Sequence, residues 1–274
     1  MKKILFALSA LAVVFAAGCS KEDIDIPSPE YQLVVNMDKP SFGDDTRAPR
    51  SSWEDGDVVY VVFNGDVEEC RYLKLSFNGS SWTPEWVNTT ADAVAAKETK
   101  TLMAGYTKSA LSSTPNYLQI IGGINFVSSN TGECVMICKD GTYTVSDNTI
   151  TLNLVMKPDV SQVTISNINV EDGWTLKCDK LTQCGGFFVS NFSVGASTGS
   201  TNGPLIGYAN TDGVAFYGQT QNGSVQDYTF TLSNDSKTYT RKFTSKSLNK
   251  GDAVLMDGPT TDVLNGWEEK IPVP

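Results

Sequence analysis

Apolar and polar side chains alternate in short runs along this chain, and no long run repeats at the helical period. Residues 31–37 set the style. Tyr31, Leu33, Val35 and Met37 fall on one face, and Gln32, Val34 and Asn36 on the other. The same reasoning predicts strands at 58–63, 71–77, 100–106, 117–121, 133–138, 141–145 and 150–156. Beyond Lys157-Pro158 it predicts strands at 162–168, 174–178, 186–189, 213–217, 227–232, 238–244 and 253–256. Asn78-Gly79, Lys139-Asp140-Gly141 and Asn234-Asp235-Ser236 read as turns. Residues 91–97 form the one expected short helix. Short strands at this spacing imply an all-β protein of sandwiches or barrels.

The first thirty residues follow another rule. Lys2 and Lys3 precede an apolar run of about 14 residues, Ile4 to Ala17. That is shorter than the roughly 20 residues a membrane helix needs, so it reads as an export signal. The run ends Ala16-Ala17-Gly18-Cys19, which resembles the lipobox of bacterial lipoproteins. Residues 1–18 are then a signal peptide, and Cys19 becomes the lipidated first residue that holds the protein on the outer membrane. Ser20-Lys21-Glu22-Asp23 is similar to a surface-export signal of Bacteroidota lipoproteins. Residues 19–30, with Pro27 and Pro29, form a tether.

About 250 of the 274 residues remain after the signal. That length suits two domains of about 100–130 residues each. The expected division is 31–156 and 157–274, two β-sandwich domains. A net charge of -10 argues against nucleic acid as a partner. The chain has no histidine, which removes Ser-His-Asp catalysis and His-ligated metal sites. The sequence calls for no catalytic residue, no metal and no cofactor.

Between the first and second predicted strands, residues 38–52 form a polar stretch with Pro40, Gly43 and Pro49. It carries Thr46-Arg47-Ala48, and Trp53-Glu54-Asp55-Gly56-Asp57 follows. A late segment runs from Tyr228-Thr-Phe-Thr-Leu to Leu248-Asn-Lys-Gly-Asp252. With the lipobox, these motifs resemble the fimbrillin family, the type V pilins of Bacteroidia. The 46–57 region carries most of that specificity. The resemblance implies two sandwich domains of transthyretin-like topology and a precursor exported as a lipoprotein. It implies an arginine-specific surface protease that cuts after the first strand. It also implies head-to-tail polymerisation with other pilin subunits by donor-strand exchange, in support of adhesion to a host or bacterial receptor.

The residues fit that scheme. Loss of 31–37 uncovers four inward apolar side chains, worth about 6–12 kcal/mol if each is fully buried. That rivals a domain's net stability of about 5–15 kcal/mol. Arg47 and Arg50 are the expected cut sites. The tail after Gly258-Pro259 holds Val263, Leu264, Trp267, Ile271 and Val273, an expected donor segment. Proline at 272 and 274 keeps one of its edges from pairing.

Other features carry less. Cys134 and Cys138 lie about 13 Å apart along one strand, too far to bond. Cys178 and Cys184 are placed to face each other across a turn. Trp82 and Trp86 flank Pro84 as a sugar platform or, more simply, as hairpin packing. The alternative function is a surface glycan-binding lipoprotein without polymerisation.

Overall fold

The computed structural model describes residues 31–42, 52–108, 111–128, 132–168, 173–191, 193–198, 204–210, 213–220, 226–245, 248–260 and 262–270. Among them the chain is all-β, with one short helix.

The largest sheet is built from β1 (Gln32–Asp38), β2 (Val58–Phe63), β3 (Tyr72–Phe77), β4 (Trp82–Val87) and β5 (Thr101–Thr107), with α1 (Ala91–Ala95) between the last two. A second sheet takes β6 (Asn116–Leu118) and β7 (Gly123–Val127). The first sheet resumes with β8 (Val135–Ser146), β9 (Thr149–Val155) and β10 (Lys157–Pro158). Its order is β1-β9-β8-β5-β2-β3-β4, with β10 on β8.

Five strands form a third sheet: β11 (Ser161–Ser166), β13 (Leu181–Thr182), β16 (Tyr208–Asn210), β17 (Gly213–Thr220) and β20 (Ala253–Asp257). Opposite it lie β12 (Thr175–Cys178), β18 (Gln226–Ser233), β19 (Thr238–Ser245) and β21 (Glu268–Glu269). The remaining strands, β14 (Cys184–Ser190) and β15 (Val194–Thr198), join the sheet of β6 and β7 in the order β15-β14-β7-β6.

Two buried clusters result. One is made almost entirely of residues 59–194. The other runs from Val163 to Trp267. Strands from both sides of residue 156 share the first. β14 pairs antiparallel with β7, and Phe187 stacks on Phe126 at 4.5 Å between ring centroids. Gly105 makes the approach possible, since a Cβ there would meet the Phe187 ring at 2.3 Å. β2 is buried on both faces. Tyr60 meets Phe126 at 5.0 Å, and Phe63 meets Tyr143 at 5.2 Å on the other side. This explains its unbroken apolar run, where a half-solvated antiparallel strand would alternate.

The two motifs that carried the family resemblance fold into one turn geometry. Asp57 N–H donates to Glu54 O at 3.0 Å, and Asp57 Oδ2 accepts from Glu54 N–H at 2.9 Å. Likewise Asp252 N–H donates to Asn249 O at 3.0 Å, and Asp252 Oδ2 accepts from Asn249 N–H at 2.7 Å. Gly56 and Gly251 sit at φ +90° and +89° at the third turn position, where a type II turn requires glycine.

Several expectations need correction. Lys139-Asp140-Gly141 is no turn: β8 runs through it. Leu102 faces Gly141 and Ala104 faces Cys138, so one β5 residue stands opposite two in β8, a bulge. The strand expected at 117–121 ends at Leu118, where Ile121 and Gly122 N–H both turn back to Leu118 O. Cys178 and Cys184 are unpaired, as are all five described cysteines. They belong to different cores, which removes the bond across the turn.

Phe187→Ala should destabilise by about 3–5 kcal/mol. Because Phe187 serves the first core, urea unfolding followed by amide exchange should show lost protection in β2 and β7. Burial pushes the thiols of Cys134 and Cys184 up to about 12 from 9.0. Acids whose folded pKa is raised stabilise fully below the ordinary value and progressively less above it. Urea midpoints should therefore hold up to about pH 9 and fall as pH rises toward 12.

Candidate strand-exchange site

Among the described residues β1 ends the first sheet and is paired along one edge only, in parallel with β9, from Gln32 opposite Thr149 to Asp38 opposite Val155. Parallel pairing is slightly weaker per residue than antiparallel pairing. The alternation read from the sequence is present: Leu33, Val35 and Met37 face inward, while Gln32, Val34, Asn36 and Asp38 are exposed. Inward does not mean engulfed. Tyr31, Leu33, Val35 and Met37 are half-buried, whereas their β9 neighbours Ile150 and Leu152 are fully covered and Leu154 is 4% exposed. Partial burial contributes somewhat less than the full value, so the roughly 6–12 kcal/mol expected from complete burial is an upper bound for the four. A cleft of about 610 Å³ lies beside the C-terminal half of β1, lined by Val35 to Asp38 and by Asn153 to Met156.

The exit of β1 is held by a charge. Lys39 follows Met37 by two residues and continues the inward face. Its ammonium lies 2.8 Å from Asp57 Oδ2, with side-chain exposures of 10% and 7%. Tyr106 OH donates to Asp57 Oδ1 at 3.0 Å. Burial first, then the Cys134 and Asp57 charges, push the Tyr106 hydroxyl above its usual value, so it stays a donor. The ammonium stands 5.2 Å from the Trp53 ring centroid and 5.1 Å from that of Tyr106. Trp53 Nε1–H donates to Met37 O at 3.3 Å. The Trp-Glu-Asp-Gly-Asp motif thus builds the seat for Lys39: Gly56 shapes the turn, Asp57 supplies the carboxylate and Trp53 the wall. Sequence reasoning passed over Lys39 and Tyr106. The signal for Lys39 was its parity with Leu33, Val35 and Met37, an inward-pointing charge closing an alternating strand. Three residues on, the Phe42 ring packs 5.5 Å from Tyr217.

Other expected residues fall elsewhere. Cys19, Arg47, Arg50, Ile271 and Val273 lie outside the described residues. Val263 and Leu264 are 53% and 41% exposed in a turn after β20. Trp267 is 2% exposed in the second core, and its Nε1–H donates to Asp257 O at 2.9 Å. β21 pairs with β19, so the tail through Lys270 is docked on its own body. Trp82 packs on Trp53 and Phe77, and Trp86 stacks on Phe63 at 5.9 Å. These rings serve the hairpin and make no open platform. Among the described residues, no group of three or more Cys, Asp and Glu is placed to hold a metal.

No protein-family profile and no curated protein matches the chain. Solved structures do. A fimbrial protein of Bacteroides ovatus is similar over 84% of this chain and 48% of its own, at 10% identity and a TM-score of 0.45. This chain therefore spans about half of that protein. A candidate cell adhesion protein of Bacteroides ovatus is similar over 88% of this chain and 96% of its own, at 9% identity and a TM-score of 0.46. A fimbrial assembly protein of Parabacteroides distasonis is similar over 87% and 98%, at 14% identity and a TM-score of 0.39. The structural neighbours are Bacteroidales fimbrial and candidate cell adhesion proteins.

Removing one partner of a buried pair costs about 3–5 kcal/mol. Lys39→Met should lower stability by that order in urea and speed amide exchange across 33–37. Combining it with Asp57→Asn should recover much of the loss, because no buried charge is then orphaned.

Proposed function

We propose that this chain is a fimbrial subunit, exported as a lipoprotein on Cys19 and converted on the cell surface into an acceptor for another subunit's strand. The observation that carries this reading is the one-sided, parallel, half-buried pairing of β1, directly followed by the segment that bears Arg47 and Arg50. While the chain is whole, β1 stays in place because its tether keeps it at high effective concentration. A cut at either arginine turns β1 into a separate ligand. Its apolar contact, at most about 6–12 kcal/mol, then stands against association costs of about 4–15 kcal/mol. Ladder hydrogen bonds and the Lys39 pair offset part of that, yet a longer or better-buried strand outcompetes it. Once β1 leaves, β9 presents a row of unpaired backbone groups beside Ile150, Leu152 and Leu154, a template for strand addition. Because the incoming strand comes from a different surface, the contact is head-to-tail and propagates as a filament.

The partners are other pilin subunits, an arginine-specific surface protease, the outer membrane through the lipid, and an adhesion receptor. The fimbrium and the outer membrane are its places of residence. Donation by 263–270 requires Trp267 to leave the second core, so the acceptor role is the better supported of the two.

N-terminal sequencing of the surface-shed protein tests the proposal. The expected start is Ala48 or Ser51, with oligomer ladders on a gel, and Arg47→Ala/Arg50→Ala should abolish both. A mature, assembled protein that still begins at Cys19 and keeps β1 would sink the idea.

A further inference from the structure

We infer that Asp57 reads the charge of whatever strand takes the place of β1, selecting a partner segment with Lys or Arg in the register of Lys39. The inference rests on the acceptor reading above and specifies its partner. Of the described groups around the Lys39 ammonium, only Lys39 itself lies on the segment that departs. The Asp57 carboxylate, the Tyr106 hydroxyl bonded to it at 3.0 Å, the Glu54 N–H bonded to it at 2.9 Å and the Trp53 ring all stay with the body. Release of β1 therefore leaves a carboxylate with two neutral donors and two aromatic faces, its lysine gone. An incoming apolar residue would bury that carboxylate again without a counter-charge, which is among the costliest arrangements at an interface. An incoming lysine or arginine would restore both the ion pair and the cation–π contacts.

The register is explicit. Leu33, Val35, Met37 and Lys39 share one face, and β1 runs parallel to β9. The occupant is thus a strand with three alternating apolar residues followed, two positions on, by Lys or Arg. The chain's own tail does not read this way: in register before Lys270 stand Glu268, Gly266 and Leu264. A second copy's 264–270 segment is consequently a poor fit, and the seat selects a strand that keeps the pattern of Leu33, Val35, Met37 and Lys39.

The test uses the full chain nicked between β1 and β2 by an arginine-specific protease. Fluorescent peptides of sequence 31–42 compete for the site in four forms: native, Lys39→Arg, Lys39→Met, and native acetylated on the Lys39 Nζ. Fluorescence polarisation should show the native and Lys39→Arg peptides entering, and the Lys39→Met and acetyl peptides binding about thirtyfold more weakly or worse. On the Asp57→Asn protein the native and Lys39→Met peptides should bind alike. The acetyl peptide keeps the lysine stem without its charge, so the charge effect is measured even if Asp57→Asn does not fold. Equal binding of all four peptides to the native protein overturns the charge reader and leaves the acceptor reading standing. A Lys39→Met defect that persists unchanged on folded Asp57→Asn overturns it too. If no peptide enters the nicked chain, the acceptor reading falls and takes this inference with it.

Discussion

Among the described residues β1 is hydrogen-bonded along one edge, to β9, and the rest of the proposed behaviour depends on that. A strand with both edges paired is held by two ladders and by flanking side chains on each side. β1 has one ladder, in the weaker parallel sense, and its apolar residues are only partly buried. Its hold is sufficient for a tethered segment and modest for a free one. What compensates is local and electrostatic: a lysine at the exit, seated on a buried carboxylate between two aromatic rings.

The two cores share a plan and differ where it matters. In each, an early strand runs parallel to a late one: β1 beside β9, and β11 beside β20. In each, a Gly-Asp turn with the same hydrogen bonds leads into a strand. Yet β11 is also paired with β17 along its other edge, while among the described residues β1 is paired with β9 alone. Pulling β11 out would break two ladders and open the middle of a sheet. The equivalent position in the first core is an edge, so one strand can leave while the sheet survives. Phe187 on β14, which comes from beyond residue 156, packs with β7 to close the other side of that core.

The same turn takes on different duties in the two places. Asp252 caps its turn with its side chain and passes its carbonyl to Gln162 N–H. Asp57 caps its turn and also holds Lys39 and Tyr106. One short motif thus serves as a strand starter twice and as the base of a seat for a cation once. The added duty came from neighbours, Tyr106 on β5 and Lys39 after β1, and not from the motif itself.

Alternation in 31–37, the apolar run at 58–63, the run at 71–77 ending in the Asn78-Gly79 turn, and the pair of runs around Asn234-Asp235-Ser236 were legible in the sequence, because period and turn chemistry are local properties. The inward face of β1 was read correctly on the same ground. Strands β4, β7, β15 and β16 were not seen. Pro84 interrupts the first, and the others are glycine-containing or only three residues long, so their strand character comes from the partner that pairs with them. The bulge at Lys139-Asp140 looked like a turn because charged residues before a glycine look alike in both. How deeply β1 is buried, that its outer edge is unpaired among the described residues, that Trp267 is locked into a core, and that Asp57 sits under a lysine 18 positions away in sequence were all decided by tertiary structure. Each depends on which distant segments arrive at one place, and sequence periodicity carries no record of that.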